Sequence, residues 1–378
     1  MVKLFLSAGE PSGVAIGATL MRTLKARIPG VTFAGLGGGA MLEEGLRPIF
    51  DPASTAAMWL WGNLKRVPAH RRALKACIED WTRERPDLVI TVDYQAFHLF
   101  VGTRARALGI PVLHFVGSQF WGRRFYTLGP IRRAYDHVLL IHEFEQELYD
   151  RAGIPATYVG HPLFERLRAR RLDEAAVAEF RGLPGPRLGL LPGSRQGEIA
   201  ASLPVMIAAA ARLSPAPSLL VSCARPDARP AMERALARSA LRGRVVDYSS
   251  GEILAASDAA LITSGSASME AVFFACPAAV LYRLDWFNYF FARPHIVGFI
   301  AQPNLVARRA IVPEFLLGSG NPRGVAAAAQ RLLSDPAARE AQGREFAAIR
   351  ERLLRGPKPS EAASDVVERM LRKGAGAG

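Results

Sequence analysis

The sequence predicts an α/β protein made of two doubly wound parallel-sheet domains. Three observations carry this. Short apolar runs such as Leu88–Val92 and Leu188–Leu191 alternate with helical stretches, and strands lacking a polar stripe belong to parallel sheets covered on both faces. Several of these runs pass through a glycine turn straight into a helix, the mark of a βα connection. At 378 residues, half of them hydrophobic, the chain suits two ordinary cores better than one.

Taken in order, Lys3–Ala8 (KLFLSA) reads as the first strand and Gly9–Gly13 (GEPSG) as the turn into a helix over Val14–Arg27. A strand at Thr32–Leu36, a triple-glycine turn, a short helix Ala40–Glu44 and a strand near Arg47–Phe50 follow. Pro68–Glu84 is a basic amphipathic helix, and Leu88–Val92 is a buried strand closed by Asp93. Helix Phe97–Leu108 and strands Pro111–Val116 and Val138–Ile141 complete the first series. Tyr158–Pro162 (YVGHP) reads as the exit from that domain, with helix Asp173–Arg181 and the turn Leu183–Pro186 as the connection.

The second series has strands at Arg187–Leu191, Ser218–Cys223, Arg244–Tyr248, Ala259–Thr263 and Ala278–Tyr282. Arg323–Lys373 is alanine- and arginine-rich helix, and Gly374–Gly378 a frayed tail. The expected division is 1–165, 166–345 and a C-terminal segment 346–378 whose helix returns to the first domain. Two Rossmann-like domains facing a central cleft is the layout of the GT-B glycosyltransferases.

Composition narrows the functional classes. The formal charge is +14, from 48 Lys and Arg against 34 Asp and Glu. Basic motifs interleaved with aromatics are missing, which argues against nucleic acid as the partner. A phosphorylated substrate or an anionic membrane surface suits the charge equally well. Cys77, Cys223 and Cys276 are dispersed and odd in number, which suggests a reducing compartment and neither a disulfide framework nor a zinc site. The first residues, MVKLFLSAGEPSG, lack the apolar run of a signal peptide. No apolar stretch reaches the length of a membrane span, so the expectation is a cytoplasmic protein.

Two turns stand out as anion sites. In Leu188–Glu198, LGLLPGSRQGE, apolar residues stop at Leu191 and Gly193 allows a sharp bend. Ser194 then offers a hydroxyl and Arg195 a fixed cation beside the helix start at Gln196. A helix N-terminus beside an arginine suits a phosphate. A second such turn, Ser264-Gly265-Ser266-Ala267, leads from a strand into a helix carrying Glu270. Each turn alone reads equally well as a plain βα connection with a good N-cap. Two of them in one half of the chain favour a nucleotide pocket.

With these motifs assembled, the chain resembles the bacterial lipid-A-disaccharide synthase family. The matching pieces are SAGEPSG (Ser7–Gly13), Asp93, GHPL (Gly160–Leu163), LLPGSRQGE (Leu190–Glu198), SDAALITSGSASMEA (Ser257–Ala271) and QPNLVARRAIVPEFL (Gln302–Leu316). The resemblance implies an inverting glycosyl transfer without a metal or other cofactor. UDP-2,3-diacylglucosamine and 2,3-diacylglucosamine 1-phosphate become a β-1,6 disaccharide, and UDP leaves. The chain has no Asp-X-Asp tripeptide of the kind that holds a metal-bound diphosphate, so the leaving charge falls to Arg195 and the two helix starts.

The resemblance also assigns roles. Asp93 is the expected general base, raised in pKa by partial burial; a strand-end aspartate also serves as a helix cap. Glu270 would bond the ribose hydroxyls, or stand as an ordinary helix acid. Asn304 would reach the donor, or close a local turn. His161 would orient a phosphate or the linker, or be structural at the domain junction. Glu10, Ser12 and Gly13 would cradle a substrate phosphate in the first glycine turn.

The segment Met58–Gly62, MWLWG, is followed by Lys65, Arg66, Arg71, Arg72 and Lys75. Apolar anchors beside a basic strip describe a surface resting on the anionic inner membrane, where acylated sugars would be found; a buried aromatic helix is the alternative. A homodimer stays an open expectation.

Several positions depart from the family pattern. Val14 replaces an aspartate after the first glycine turn, and Gly117–Gly129 (GSQFWGRRFYTLG) keeps Trp121 and Arg124 but has Arg123 for a second tryptophan. Asp93 is followed by Tyr94-Gln95-Ala96-Phe97-His98 instead of a DxPxFN-like run, with Ala96 where a second acid is usual. The donor half therefore matches more closely than the acceptor half. Alternatives of the same fold are a peptidoglycan GlcNAc transferase, a UDP-GlcNAc 2-epimerase, or a UDP-sugar-binding relative without turnover.

Overall fold

The computed structural model describes residues 1–9, 11–50, 67–117, 128–247, 250–283, 299–317 and 322–375. Glu10, Trp121, Met58–Gly62, Lys65, Arg66 and the interior of the Gly117–Gly129 loop lie outside the described residues. The chain forms two units, one from Met1–Pro162 with Gly356–Gly378, the other from Leu163–Arg355.

Unit 1 holds seven parallel strands: β1 (Lys3–Ala8), β2 (Thr32–Leu36), β3 (Leu46–Pro48), β4 (Leu88–Val92), β5 (Val112–Phe115), β6 (His137–Leu140) and β7 (Ala156–Tyr158). Their spatial order is β3-β2-β1-β4-β5-β6-β7. Alternation along each strand feeds two cores. Leu4, Leu6 and Ala8 join Leu88, Ile90 and Val92 on one face, while Phe5, Val89 and Val112 enter the other. Burial on both faces is why these strands show no polar stripe.

Helix Val67–Arg83 covers the second face with Ala73, Cys77 and Trp81, and helix Gln95–Ala107 with Phe97, Val101 and Ala105, each set at four-residue spacing. On the first face, helix Pro11–Arg27 packs Leu20, Met21 and Leu24 with Val366 and Val367 of the C-terminal helix Pro359–Ala375. Arg27 fastens that pair, reaching Glu361 (3.1 Å), Asp365 (2.5 Å) and Glu368 (2.7 Å). The hydrogen bond to Asp365 does most to raise its pKa.

Unit 2 has six parallel strands: β8 (Arg187–Leu191), β9 (Ser218–Cys223), β10 (Gly243–Asp247), β11 (Ala259–Thr263), β12 (Ala278–Arg283) and β13 (Glu314–Leu317), in the order β10-β9-β8-β11-β12-β13. The arginine-rich stretch after residue 321 is three helices, Pro322–Ser334, Pro336–Arg355 and Pro359–Ala375. Each opens on a proline, whose missing N–H is harmless at the first helical position. Phe346, Ile349 and Leu353 of the middle helix belong to the core of unit 2. No described helix is long and apolar enough to cross a membrane.

In both sheets the chain builds outward from one strand and then returns to its other side. The reversal falls between β1 and β4 in unit 1, and between β8 and β11 in unit 2. Connections from those neighbouring strands leave toward opposite faces, and the crevice at their carboxyl ends is where such sheets take ligands.

Gly160 closes the last crossover of unit 1. Its φ is +89°, and a Cβ there would lie 2.3 Å from the Pro357 carbonyl oxygen. Gly160→Ala should therefore cost about 2–4 kcal/mol of unfolding free energy in urea titrations; an unchanged midpoint would disprove the close approach.

Unit 1 also buries histidines. His98 is pulled down to about 4, and His114 and His142 well below their usual value, in each case chiefly by burial. All three stay neutral when folded, whereas the unfolded chain takes up protons below about pH 6.5. Stability should therefore fall as pH drops from about 7 to 5, approaching roughly 4 kcal/mol per pH unit for the three together. Denaturant unfolding at several pH values reads this; a flat profile over that window would refute it.

Candidate active site at the carboxyl edges of the sheets

In unit 2, β8 ends at Leu191 and Pro192-Gly193-Ser194-Arg195 turns into helix Gln196–Ala210. Gly193 has φ +104°, and a Cβ there would meet the Glu198 Oε2 at 2.6 Å, so only glycine fits. Glu198 folds back over the turn. Its Oε2 accepts from the N–H groups of Ser194 and Arg195, both at 3.3 Å, and its Oε1 from the Arg195 guanidinium at 2.8 Å. The N–H groups of Ser194 and Arg195 are thus held by Glu198. The exposed residues Gln196 and Gly197 head the helix, where N–H groups have no intrahelical partner. Arg195 keeps 62% of its side chain exposed.

Ile262 of β11 pairs with Leu191 of β8, so the second turn leaves beside the first. Ser264 and Gly265 are half-buried, and Ser266 and Ala267 start helix Ser266–Phe273. The Ser264 hydroxyl donates to the Ile300 carbonyl at 3.0 Å and pins that loop next to the turn. Glu270, in the second turn of the helix, accepts from the Ser250 hydroxyl at 2.7 Å.

Asn304 departs from the expectation of a donor contact. It is fully buried. Its Oδ1 accepts from the N–H groups of Ile311 (2.7 Å) and Val312 (2.8 Å), and its Nδ2 donates to the Val312 carbonyl (2.9 Å) and Glu314 Oε2 (3.1 Å). Glu314 also accepts from Ile300 and Ala301 N–H. Together Asn304 and Glu314 lock the 300–304 segment onto β13.

In unit 1, Ala8 of β1 faces Val92 of β4. The half-buried Ser12 and the buried Gly13 lie in the first turn of helix Pro11–Arg27. A Cβ on Gly13 would sit 3.3 Å from the Val92 carbonyl oxygen and 3.6 Å from the Asp93 Cβ, so the helix start rests against Asp93. Asp93 and Tyr94 both have left-handed backbones, with φ of +56° and +40°. Tyr94 N–H donates to the Asp93 Oδ1 at 2.8 Å, and Asp93 is half-buried.

His161 lies elsewhere. It follows β7, three strand steps from β4, or roughly 14 Å away at ordinary strand spacing. It is 5% exposed, with its ring 5.4 Å from that of His142. This places it at the margin of the sheet, next to the end of the first unit's main segment at Pro162.

Sequence reasoning missed three groups. Glu198 was discoverable as the acid three residues past an N-cap, the capping-box spacing. Glu314 and the buried Ser7–His98 pair beneath Asp93 carry no such signal, because their partners are remote in sequence. A separate cavity of about 580 Å³ opens at the opposite edge of unit 1. There Lys3 and Arg47 pair with Glu84 and Asp80.

Comparison with known proteins agrees with this layout. The profile of the lipid-A-disaccharide synthetase family matches residues 4–361. The lipid-A-disaccharide synthase of Myxococcus xanthus is 35% identical over 373 residues, covering 97% of each chain. That of Azotobacter vinelandii is 38% identical over 342 residues, 88% of this chain and 90% of its own. Among solved structures, the Neisseria meningitidis UDP-GlcNAc 2-epimerase bound to UDP-GlcNAc has a TM-score of 0.64 at 12% identity, covering 94% of this chain and 100% of its own. Acinetobacter baumannii MurG scores 0.56 at 12% identity, covering 97% and 99%. These distant likenesses establish the GT-B fold, and the closer sequences establish kinship: the chain belongs to the lipid-A-disaccharide synthase family.

Proposed function

We infer that this protein joins UDP-2,3-diacylglucosamine to 2,3-diacylglucosamine 1-phosphate, forming the β-1,6 disaccharide and releasing UDP. The observation that carries this reading is the family match from residue 4 to 361, which takes in both switch-point turns of unit 2 and Asp93 of unit 1. The Neisseria epimerase, of the same fold, was solved with UDP-GlcNAc, which supports a UDP-sugar donor here.

The displacement needs a base for the acceptor hydroxyl and a charge to meet the departing UDP. Asp93 takes the base role: one carboxylate oxygen is oriented by the Tyr94 N–H, and the other accepts the proton as the acceptor oxygen attacks the anomeric carbon. That bond forms as the bond to UDP breaks, with the electron pair leaving on the diphosphate and inversion at the sugar. Arg195 and the helix start at Gln196 and Gly197 stabilise this charge electrostatically. Glu198 holds the turn in shape beforehand, so little reorganisation is needed. The turn Ser264–Ala267 and Glu270 line the nucleotide side, with Glu270 on the ribose hydroxyls. Ser12 and Gly13 hold a substrate phosphate at the start of helix Pro11–Arg27, whose first turn carries no described acid; Glu10, named with them in the sequence, lies outside the described residues.

Association with an anionic membrane surface belongs to this reading. Arg71, Arg72 and Lys75 are exposed on helix Val67–Arg83 while Ala73 and Cys77 face the core. Such a basic face draws a protein toward acidic headgroups.

Purified protein given both acylated substrates should yield the disaccharide phosphate by mass spectrometry, and no such product would reject the assignment. Asp93→Asn should lower kcat by about 10²–10⁴-fold while the UDP affinity measured by calorimetry stays within about twofold. Arg195→Ala should weaken UDP binding by roughly 10–100-fold, the loss of one charge-assisted hydrogen bond. Undiminished UDP binding by that variant would remove Arg195 from the donor site.

A further inference from the structure

Two consecutive non-glycine residues in the left-handed region, Asp93 and Tyr94, cost about 1–2 kcal/mol each. Such backbone persists only where its surroundings over-determine it. The Asp93 N–H donates to the Phe115 carbonyl at 2.9 Å, which anchors the near side. On the far side the Asp93 carbonyl lies 2.6 Å from the Nδ1 of His98. A carbonyl only accepts, so Nδ1 carries the proton and donates. The Nε2 is then an acceptor, and the Ser7 hydroxyl donates to it at 2.8 Å. Ser7 and His98 are both fully buried. Burial keeps the ring neutral at physiological pH, as a fixed tautomer requires.

We propose that His98, locked in its Nδ1–H tautomer by Ser7, is a positioning residue that aims the Asp93 carboxylate. The bond is made to the peptide of the strained residue itself. Without it the Asp93–Tyr94 peptide can rotate out of the left-handed region, which redirects the Asp93 side chain. The β4 ladder ends at Val92, so the sheet does not depend on that peptide. His98 touches no reacting atom; it acts through the geometry of Asp93. This rests on the reading of Asp93 as the base given above.

Asparagine and glutamine separate the two ring nitrogens. His98→Asn places an amide N–H near the Nδ1 position and can still donate to the Asp93 carbonyl. His98→Gln reaches toward Ser7 and loses that bond. Both variants forfeit similar ring packing, so their Tm values should fall alike. We expect H98Q to lose about 10–100-fold in kcat, the usual effect of a displaced catalytic group, with donor KM and UDP affinity within about twofold. H98N should retain kcat within about threefold of the parent. Equal kcat losses in H98N and H98Q, or losses that track Tm, would overturn the proposal.

A second readout needs no turnover. In full-length protein labelled with 15N-histidine, with the His98 signal identified by its absence in H98N, ring nitrogen shifts at pH 7 should show Nδ1–H and an unprotonated Nε2. Ser7→Ala should move that signal toward a tautomer mixture. An Nε2–H ring or an imidazolium in the parent would overturn the proposal even if the transferase reaction is confirmed. Absence of disaccharide product would instead overturn the functional reading alone.

Discussion

A parallel strand delivers its carboxyl end, and the helix that follows, to one fixed edge of the sheet. That constraint organises this molecule. Where neighbouring strands send their connections to opposite faces, their helix starts cannot close over each other, and a crevice with unsatisfied N–H groups is left. Unit 1 makes that crevice between β1 and β4, unit 2 between β8 and β11. Gly13, Asp93, Arg195 and Ser264 each lie within five positions of one of those four strand ends. Many helix arginines are matched with acids one turn away, as in Arg151 with Glu147 and Arg229 with Glu233.

The turns at the carboxyl edge of unit 2 are braced from within the fold. Glu198 satisfies the N–H groups of Ser194 and Arg195 and braces the Arg195 guanidinium, while Ser264, Asn304 and Glu314 tie the 300–304 segment to the adjacent strands. These are buried or short-range bonds that cost little to maintain, and each removes a way for the turn to collapse. Asn304 is instructive. A residue that the family resemblance places near the donor turns out to act from behind, spending both ends of its amide on the loop that flanks the site.

Legibility from sequence followed the range of the interactions. Arg187–Leu191 and the helix start at Gln196 were readable because a buried strand, a glycine and a capping position are all local signals. The paired turns, and the strand-end Asp93, were legible for the same reason. Strands β7 and β13 were not, since three- or four-residue segments at a sheet margin lack a period of their own and are fixed by partners already in place. The three-fold division of the C-terminal helical region was hidden by its uniform alanine and arginine content, although Pro336 and Pro357 mark both breaks. His98 looked like one of many helix residues. Its importance depends on Ser7, 91 residues away, and no local pattern records such a bond.

The first unit is assembled from both ends of the chain: the helix Pro359–Ala375 supplies Val366 and Val367 to its core and three carboxylates to Arg27. During synthesis, then, the nascent sheet that carries Asp93 must wait with one face covered by helix Pro11–Arg27 but still lacking helix Pro359–Ala375, while the ribosome translates all of the second unit. Folding of the second unit can run ahead, but the first unit is sealed last.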